Sequence, residues 1–171
     1  RSVRVDPRMR RAWVTGGSLL GAVDHETMAH GLVTPLGTVS HTGAGGLVTG
    51  GGFGRLARRY GLSIDNLESV QVVTADGQLR YASAEENPDL FWGVRGGGGN
   101  FGVVTNFEFR LHPMQRDVVA GLVLFPISRV RDVLTLFGDQ GPRAPDELQL
   151  DIVLQYPPGG GEALAGFGIC H

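Results

Sequence analysis

Gly43-Ala44-Gly45-Gly46-Leu47-Val48-Thr49-Gly50-Gly51-Gly52-Phe53-Gly54 decides the reading of this chain, and a second cluster follows at Gly96-Gly97-Gly98-Gly99. Glycine packs nothing and loses the most backbone entropy on folding. Such density in a sequence otherwise patterned for a core means that main chain must approach something closely, or turn where a Cβ does not fit. A bound cofactor is the first expectation.

The rest of the chain bounds what that cofactor serves. With 171 residues, 42% of them hydrophobic, and a formal net charge of -2, the chain can bury a real core and is expected to be globular. All 15 basic residues are arginine. Without lysine there is no Walker phosphate loop, no pyridoxal phosphate Schiff base and no kinase-type phosphate lysine. Arginines cluster at Arg8, Arg10 and Arg11 and again at Arg55, Arg58 and Arg59. The first group reads as a solvated face, and one of the second could face a phosphate from the helix that follows the glycines. Neither makes an extended basic surface, so no nucleic acid partner is expected.

Cys170 is the only cysteine, which excludes an internal disulfide or a cysteine metal site. His25 and His30 lie five apart, off the spacing that sets two ligands on one helix face, so no metal is expected either. No long apolar run or signal-like start occurs, and the expectation is a cytoplasmic protein with no membrane partner. The chain opens Arg-Ser-Val-Arg and stops at Gly168-Ile169-Cys170-His171, which reads as an interrupted strand; a piece of something larger is expected.

Periodicity predicts a hairpin over residues 2–6 and 11–15 around Asp6-Pro7, then a helix capped by Ser18, running to about Ala29 and closed by Gly31. A short helix over 54–60 follows the glycine loop. Asp76-Gly77 between two apolar runs predicts a second hairpin, 67–74 with 78–83. Pro88 opens a helix with Leu90, Phe91, Trp92 and Val94 on its buried side, and Val103, Thr105, Phe107, Phe109 and Leu111 mark one face of a strand. Beyond about Met114 the character changes to strand (118–125), helix (128–137) and two strands near 147–155 and 163–169. A boundary is placed near Pro113, giving domains 1–113 and 114–171.

Gly52-Phe53-Gly54-Arg55-Leu56-Ala57 matches the G-x-G-x-x-A dinucleotide fingerprint, with Asp76 following 24 residues after Gly52. The context is wrong for an NAD-Rossmann dehydrogenase. The strand before it would be only Leu47-Val48-Thr49, and Asp76 sits in a hairpin turn rather than at a strand end entering a crossover.

Several blocks in order resemble one family: Gly31-Leu32-Val33-Thr34-Pro35, Thr42-Gly43-Ala44-Gly45-Gly46-Leu47, Gly50-Gly51-Gly52-Phe53-Gly54, Tyr60-Gly61-Leu62 with Asp65-Asn66, Asn87-Pro88-Asp89-Leu90-Phe91-Trp92, and Arg95-Gly96-Gly97-Gly98-Gly99-Asn100-Phe101-Gly102. They are similar to the FAD-linked oxidases of the berberine-bridge-enzyme type, over about Val3 to Pro113. The resemblance implies an α+β fold: the second part of a PCMH-type FAD-binding domain, followed by the start of an α+β substrate domain. It also implies FAD, a small-molecule substrate, hydride transfer from a substrate C–H bond, and reoxidation by dioxygen.

On that resemblance Gly43, Gly45, Gly46, Gly50, Gly51 and Gly54 offer main-chain N–H groups to the cofactor, with Thr42 and Ala44 between them. Gly52 and Gly96 to Gly99 are expected only to let backbones pack. The resemblance further implies His41 as a wall residue, Asn66 as a cofactor contact, Val104 against the adenine, and Gly37 beside the reactive edge of the ring, where a missing side chain leaves room for dioxygen. Where relatives carry a cysteine that bonds the flavin, this chain has Val39, and the family's Arg-x-Gly-Gly-His block is absent. A singly attached or a non-covalent flavin both remain open. No catalytic residue is named, because the family's base comes from the later substrate domain. The competing readings are a non-catalytic protein that keeps the flavin fold and the Rossmann dehydrogenase.

Overall fold

Asp6-Pro7 turns the chain back on itself, so that β1 (Val3–Asp6) pairs antiparallel with β2 (Arg11–Thr15), Val3 opposite Val14. Asp6 Oδ1 accepts from the N–H groups of Arg8 and Met9, each at 3.0 Å, which organises the turn locally. Helix α1 (Leu20–Met28) follows, but Ser18 does not cap it. The Ser18 hydroxyl is spent on the Ser2 carbonyl at 3.1 Å and on Thr15 Oγ1 at 2.9 Å, and Leu19 takes the cap position with no side-chain bond.

The computed structural model describes residues 1–171. After α1 come β3 (Leu32–Val33), α2 (Ala44–Thr49), α3 (Ala57–Tyr60), β4 (Leu67–Val73), β5 (Leu79–Ser83), α4 (Pro88–Val94), β6 (Val103–Arg110) and β7 (His112–Pro113). Five strands form one sheet in the order β1-β2-β6-β4-β5, every neighbouring pair antiparallel. A Rossmann crossover therefore does not exist here. Ala12, Val14, Val70, Val72, Phe107 and Phe109 alternate along the strands and are buried on one face. Leu20 and Val23 of α1, Ala44 and Val48 of α2, and Phe91 and Val94 of α4 complete that core.

Two expectations about buried faces change. Val103 is 69% exposed although it shares the alternation of Phe107 and Phe109. The pairing of β4 with β6 slips between Gln71 and Val72, so that Gln71 faces Asn106 but Val72 faces Val104. That bulge inverts the phase of the strand end, and Val104 packs on the core in place of Val103. Trp92 is 77% exposed, while Phe91 and Val94 are buried. Adjacent helical positions point about 100° apart, so Phe91 and Trp92 cannot share a face.

The chain divides into two units, Arg1–Arg116 and Asp117–His171. The first extends past Pro113 because β7 pairs with β3, the Met114 N–H donates to Gly31 O at 3.0 Å, and Arg116 reaches Met28 O at 3.2 Å. In the second unit, β8 (Ala120–Pro126), α5 (Val130–Gln140), β9 (Gln149–Gln155) and β10 (Leu164–Cys170) give an antiparallel sheet ordered β8-β10-β9. Its buried apolar residues are Val133 and Ala165. The whole is α+β, as expected.

Candidate cofactor-binding site

Half of the glycine segment is helical, which its composition hides. Ala44 and Val48 stand four apart and are fully buried, and their anchoring outweighs the poor helix propensity of Gly45 and Gly46. Thr49 Oγ1 adds a bond to Gly45 O at 2.9 Å. The α2 segment is tied to the β2–α1 connection by Ala44 N–H to Ser18 O at 2.8 Å and Gly45 N–H to Gly16 O at 3.2 Å.

These bonds correct the assignment of donors. Gly45 spends its N–H on Gly16, and a Cβ there would lie 2.8 Å from the Gly16 carbonyl oxygen. Gly50 and Gly51 donate to Gly46 O at 3.3 Å and Val48 O at 3.0 Å, closing the helix. Gly54 is buried, and a Cβ on it would overlap the Leu36 carbonyl oxygen, so it allows two backbones to touch. Gly43 and Gly46 are different: both are exposed, and a Cβ on either would meet nothing within 4 Å.

Gly45 and Val104, taken from separate sequence blocks, meet in one groove of about 640 Å³. Its other walls are Thr15, Gly16, Gly17, Thr49, Gly99, Gly102, Val103 and Thr105, with Arg1 also lining it. Sequence reasoning misses most of these. The available signal is the pair Gly16-Gly17 directly after a strand, and Gly99, expected only to serve packing, has nothing within 4 Å of where its Cβ would be. A Cβ on Gly16, Gly45 or Gly102 would run into the carbonyl oxygen of Val104, Gly16 or Val73, so these glycines let main chain line the groove closely, whereas Gly99 leaves its side open; main chain, valine and threonine together suit a planar ring with polar edges. The residues present thus fit a flavin nucleotide.

His41 is exposed and lines a second cavity of about 630 Å³ together with Ser18, Leu19, Gly21, Glu26 and Ser40. Thr42 serves the backbone, accepting the Leu20 N–H at 3.0 Å and donating its own to Val39 O at 3.0 Å. At Gly37, expected beside the reactive edge of the ring, a Cβ would stand 2.8 Å from Leu47 Cδ1 and 3.2 Å from Leu20 Cδ1. The space left by its missing side chain is filled by these two leucines.

Asn66 is also corrected. It is 1% exposed, and its amide donates to Tyr60 O and Leu62 O, each at 2.9 Å, while its Oδ1 lies 2.6 Å from His112 Nε2. Both amide hydrogens are used, so Oδ1 accepts and the histidine carries its proton on Nε2. His112 stacks on Tyr60 with ring centroids 4.1 Å apart and an interplanar angle of 10°. Asn66 thus fastens the α3–β4 connection to β7 rather than reaching a ligand. Burial first, then the guanidinium groups of Arg110, Arg10 and Arg59, push the His112 imidazole below its ordinary value of 6.5.

The sequence profile of the FAD binding domain matches residues 1–83. An FAD-linked oxidoreductase of Dictyostelium discoideum is 38% identical over 160 residues, covering 94% of this chain and 35% of that protein. Berberine bridge enzyme-like 2 of Arabidopsis thaliana is 40% identical over 125 residues, covering 69% of this chain and 22% of that protein. Among solved structures, the 6-hydroxy-D-nicotine oxidase of Arthrobacter nicotinovorans superposes with a TM-score of 0.90 at 32% identity, covering 99% of this chain and 38% of that one. The chain spans 35% or less of each of these two curated relatives. By fold, by glycine-walled groove and by sequence, the chain belongs to the FAD-binding oxidoreductases that include the berberine bridge-like enzymes.

Proposed function

We propose that this chain contributes the second part of the FAD-binding domain, residues 1–113, and the opening of the substrate domain, residues 114–171, to an oxidase of small molecules. The observation that carries the reading is the groove that brings Gly16, Gly45, Gly99 and Gly102 together with Val103 and Val104. FAD held by these residues would supply the two-electron chemistry, hydride acceptance from a substrate C–H bond with dioxygen as the final oxidant.

The chain's own share is binding and orientation. Val104 packs on the core behind the groove, so the wall it offers a ring is rigid. Gly99 gives main chain without side-chain obstruction, and Thr49 and Thr105, whose hydroxyl protons go to Gly45 O and Gln71 O, keep oxygens that can accept. Arg1 is the only ionisable side chain along the groove, so proton abstraction is assigned to none of its residues. Dioxygen as the oxidant is supported by the relative described as an oxidase.

An absorbance spectrum of the full-length protein, before and after acid precipitation, tests the reading. Flavin bands that bleach with substrate and return with air are expected, and colour in the pellet marks a covalent bond. A colourless protein that takes up no added FAD overturns it.

A further inference from the structure

The β4–β5 hairpin turns through Thr74-Ala75-Asp76-Gly77-Gln78, with the Gly77 N–H donating to Thr74 O at 2.9 Å and the Thr74 N–H to Gln78 O at 3.0 Å. Gly77 sits at φ +75°, the left-handed position that closes a hairpin loop of this length, so a side chain there would be strained. The turn geometry therefore keeps an Asp-Gly pair at an exposed tip. That pair is among the least durable in a polypeptide. No side chain shields the glycine nitrogen from the carboxyl one residue before it, and nothing lies within 4 Å of where a Gly77 Cβ would be.

Both partners of that side reaction are engaged. Asp76 Oδ1 accepts from Thr74 Oγ1 at 2.5 Å and from the Gln78 N–H at 3.2 Å, and Oδ2 accepts from Arg80 Nη2 at 2.7 Å. Arg80 Nε donates to the same Thr74 hydroxyl at 3.1 Å, which closes a ring of bonds around the carboxylate. The Gly77 N–H is turned to Thr74 O. Ordering the turn needs less than this, since the bond from the Gln78 N–H alone makes the usual aspartate turn. Arg80 adds no bond to the turn backbone: both of these contacts go to the side chains that fix the carboxylate.

We propose that Asp76-Gly77 is a site of isoaspartate formation held shut by Thr74 and Arg80. In the reaction the Gly77 nitrogen attacks the protonated Asp76 carboxyl. The N–Cγ bond forms, the Cγ–O bond breaks, and the amide hydrogen leaves with the hydroxyl as water. A second water opens the cyclic imide at the Asp76 α-carbonyl, which routes the main chain through the side-chain carbon. In the folded chain Asp76 has first to leave Thr74 and Arg80, and Gly77 to turn its N–H away from Thr74 O. The product lengthens a loop that sets the pairing of Val73 with Leu79, and β4 in turn pairs Val72 and Val73 with Val104 and Val103 of the groove. The clasp thus guards the strand wall of the groove against slow chemical damage.

The experiment is storage of the full-length protein at neutral pH, folded and in guanidinium chloride, with isoaspartate at residue 76 followed by peptide mapping with electron-transfer fragmentation. Folded wild type should convert more slowly than the unfolded chain. Arg80→Gln and Thr74→Val should convert faster than folded wild type, Arg80→Gln by about fivefold, the upper range for an exposed ion pair. Circular dichroism checks that the variants are folded, and acceleration in either one supports the clasp. A folded wild type that matches the unfolded chain, or variants that keep the wild-type rate, overturns the proposal. The readout is independent of flavin, so a protein that binds no FAD leaves the test intact.

Discussion

Asn66 Oδ1 and His112 Nε2 lie 2.6 Å apart across 46 positions of sequence, and this bond closes a network that also holds Tyr60 and Leu62. An amide that looks like a ligand contact in the sequence is a fastening in the fold. Asn66→Ala removes three hydrogen bonds at a site 1% exposed and strands the Tyr60 carbonyl and the His112 Nε2–H, while Leu62 O keeps the Asp65 N–H at 3.1 Å. A loss of about 2–4 kcal/mol is expected, since each buried group left without a partner costs about 1–3 kcal/mol. Urea unfolding measures it; a midpoint unchanged from the wild type refutes the structural role.

Acid should weaken the fold through His112. Its folded value lies below 6.5, so the unfolded chain binds the proton more readily than the native one. The contribution is fully present above 6.5 and is lost as pH falls through the lower folded value. His112→Gln keeps a donor toward Asn66 and removes the titration. The difference in stability between wild type and variant should therefore change between neutral pH and pH 5 (roughly, from the ordinary histidine range) and stay flat above neutrality. A slope of opposite sign would mean that burial and the three arginines do not disfavour the charged ring.

Gly54 and Gly46 separate backbone packing from ligand access. Gly54→Ala forces a methyl into the Leu36 carbonyl and should cost about 1–3 kcal/mol, the usual range for overpacking. A Cβ at Gly46 would have nothing within 4 Å and the residue lies in a helix, so thermal unfolding of Gly46→Leu should hold or rise. If Gly46 faces FAD, that variant loses flavin while remaining folded. Full flavin content in Gly46→Leu moves the cofactor off this face.

Asp76 organises the β4–β5 turn. Its carboxyl is held down to about 2, first by the hydroxyl of Thr74, then by Arg80 and the Gln78 N–H. The pairing is exposed, with Arg80 Nη2 at 2.7 Å. A depressed carboxylate stabilises above its unfolded value of 3.8 and loses that effect as pH falls toward 2. Asp76→Asn should speed amide hydrogen exchange at Gly77 and Gln78 at neutral pH, with little effect on flavin binding. Unaltered exchange at both amides would show that the turn holds without the carboxylate.

Much of the fold is legible in the sequence because it is local. The Asp6-Pro7 and Asp76-Gly77 turns, Pro88 at a helix start and the Phe107–Phe109 alternation act within a few residues, and each appears as expected. Sequence and structure part where a residue's partner lies far along the chain. Ser18 has the chemistry of a cap but bonds Ser2, and Val103 has the spacing of a core residue but is turned out by a bulge whose cause is the register of β4.

The candidate site divides the same way. Glycine density pointed to a closely approached cofactor and the absence of lysine excluded several enzyme classes, while the order of the sequence blocks carried the resemblance to FAD-linked oxidases, and none of these needs coordinates. Only the tertiary structure decided what stands where each glycine's side chain would be. Gly45, Gly54 and Gly37 read alike with Gly43 and Gly46 in sequence, but the first three lack a side chain because Gly16, Leu36 and Leu47 stand in its place. A glycine's reason is the atom that would touch its missing Cβ, and that atom is fixed by contacts between distant segments.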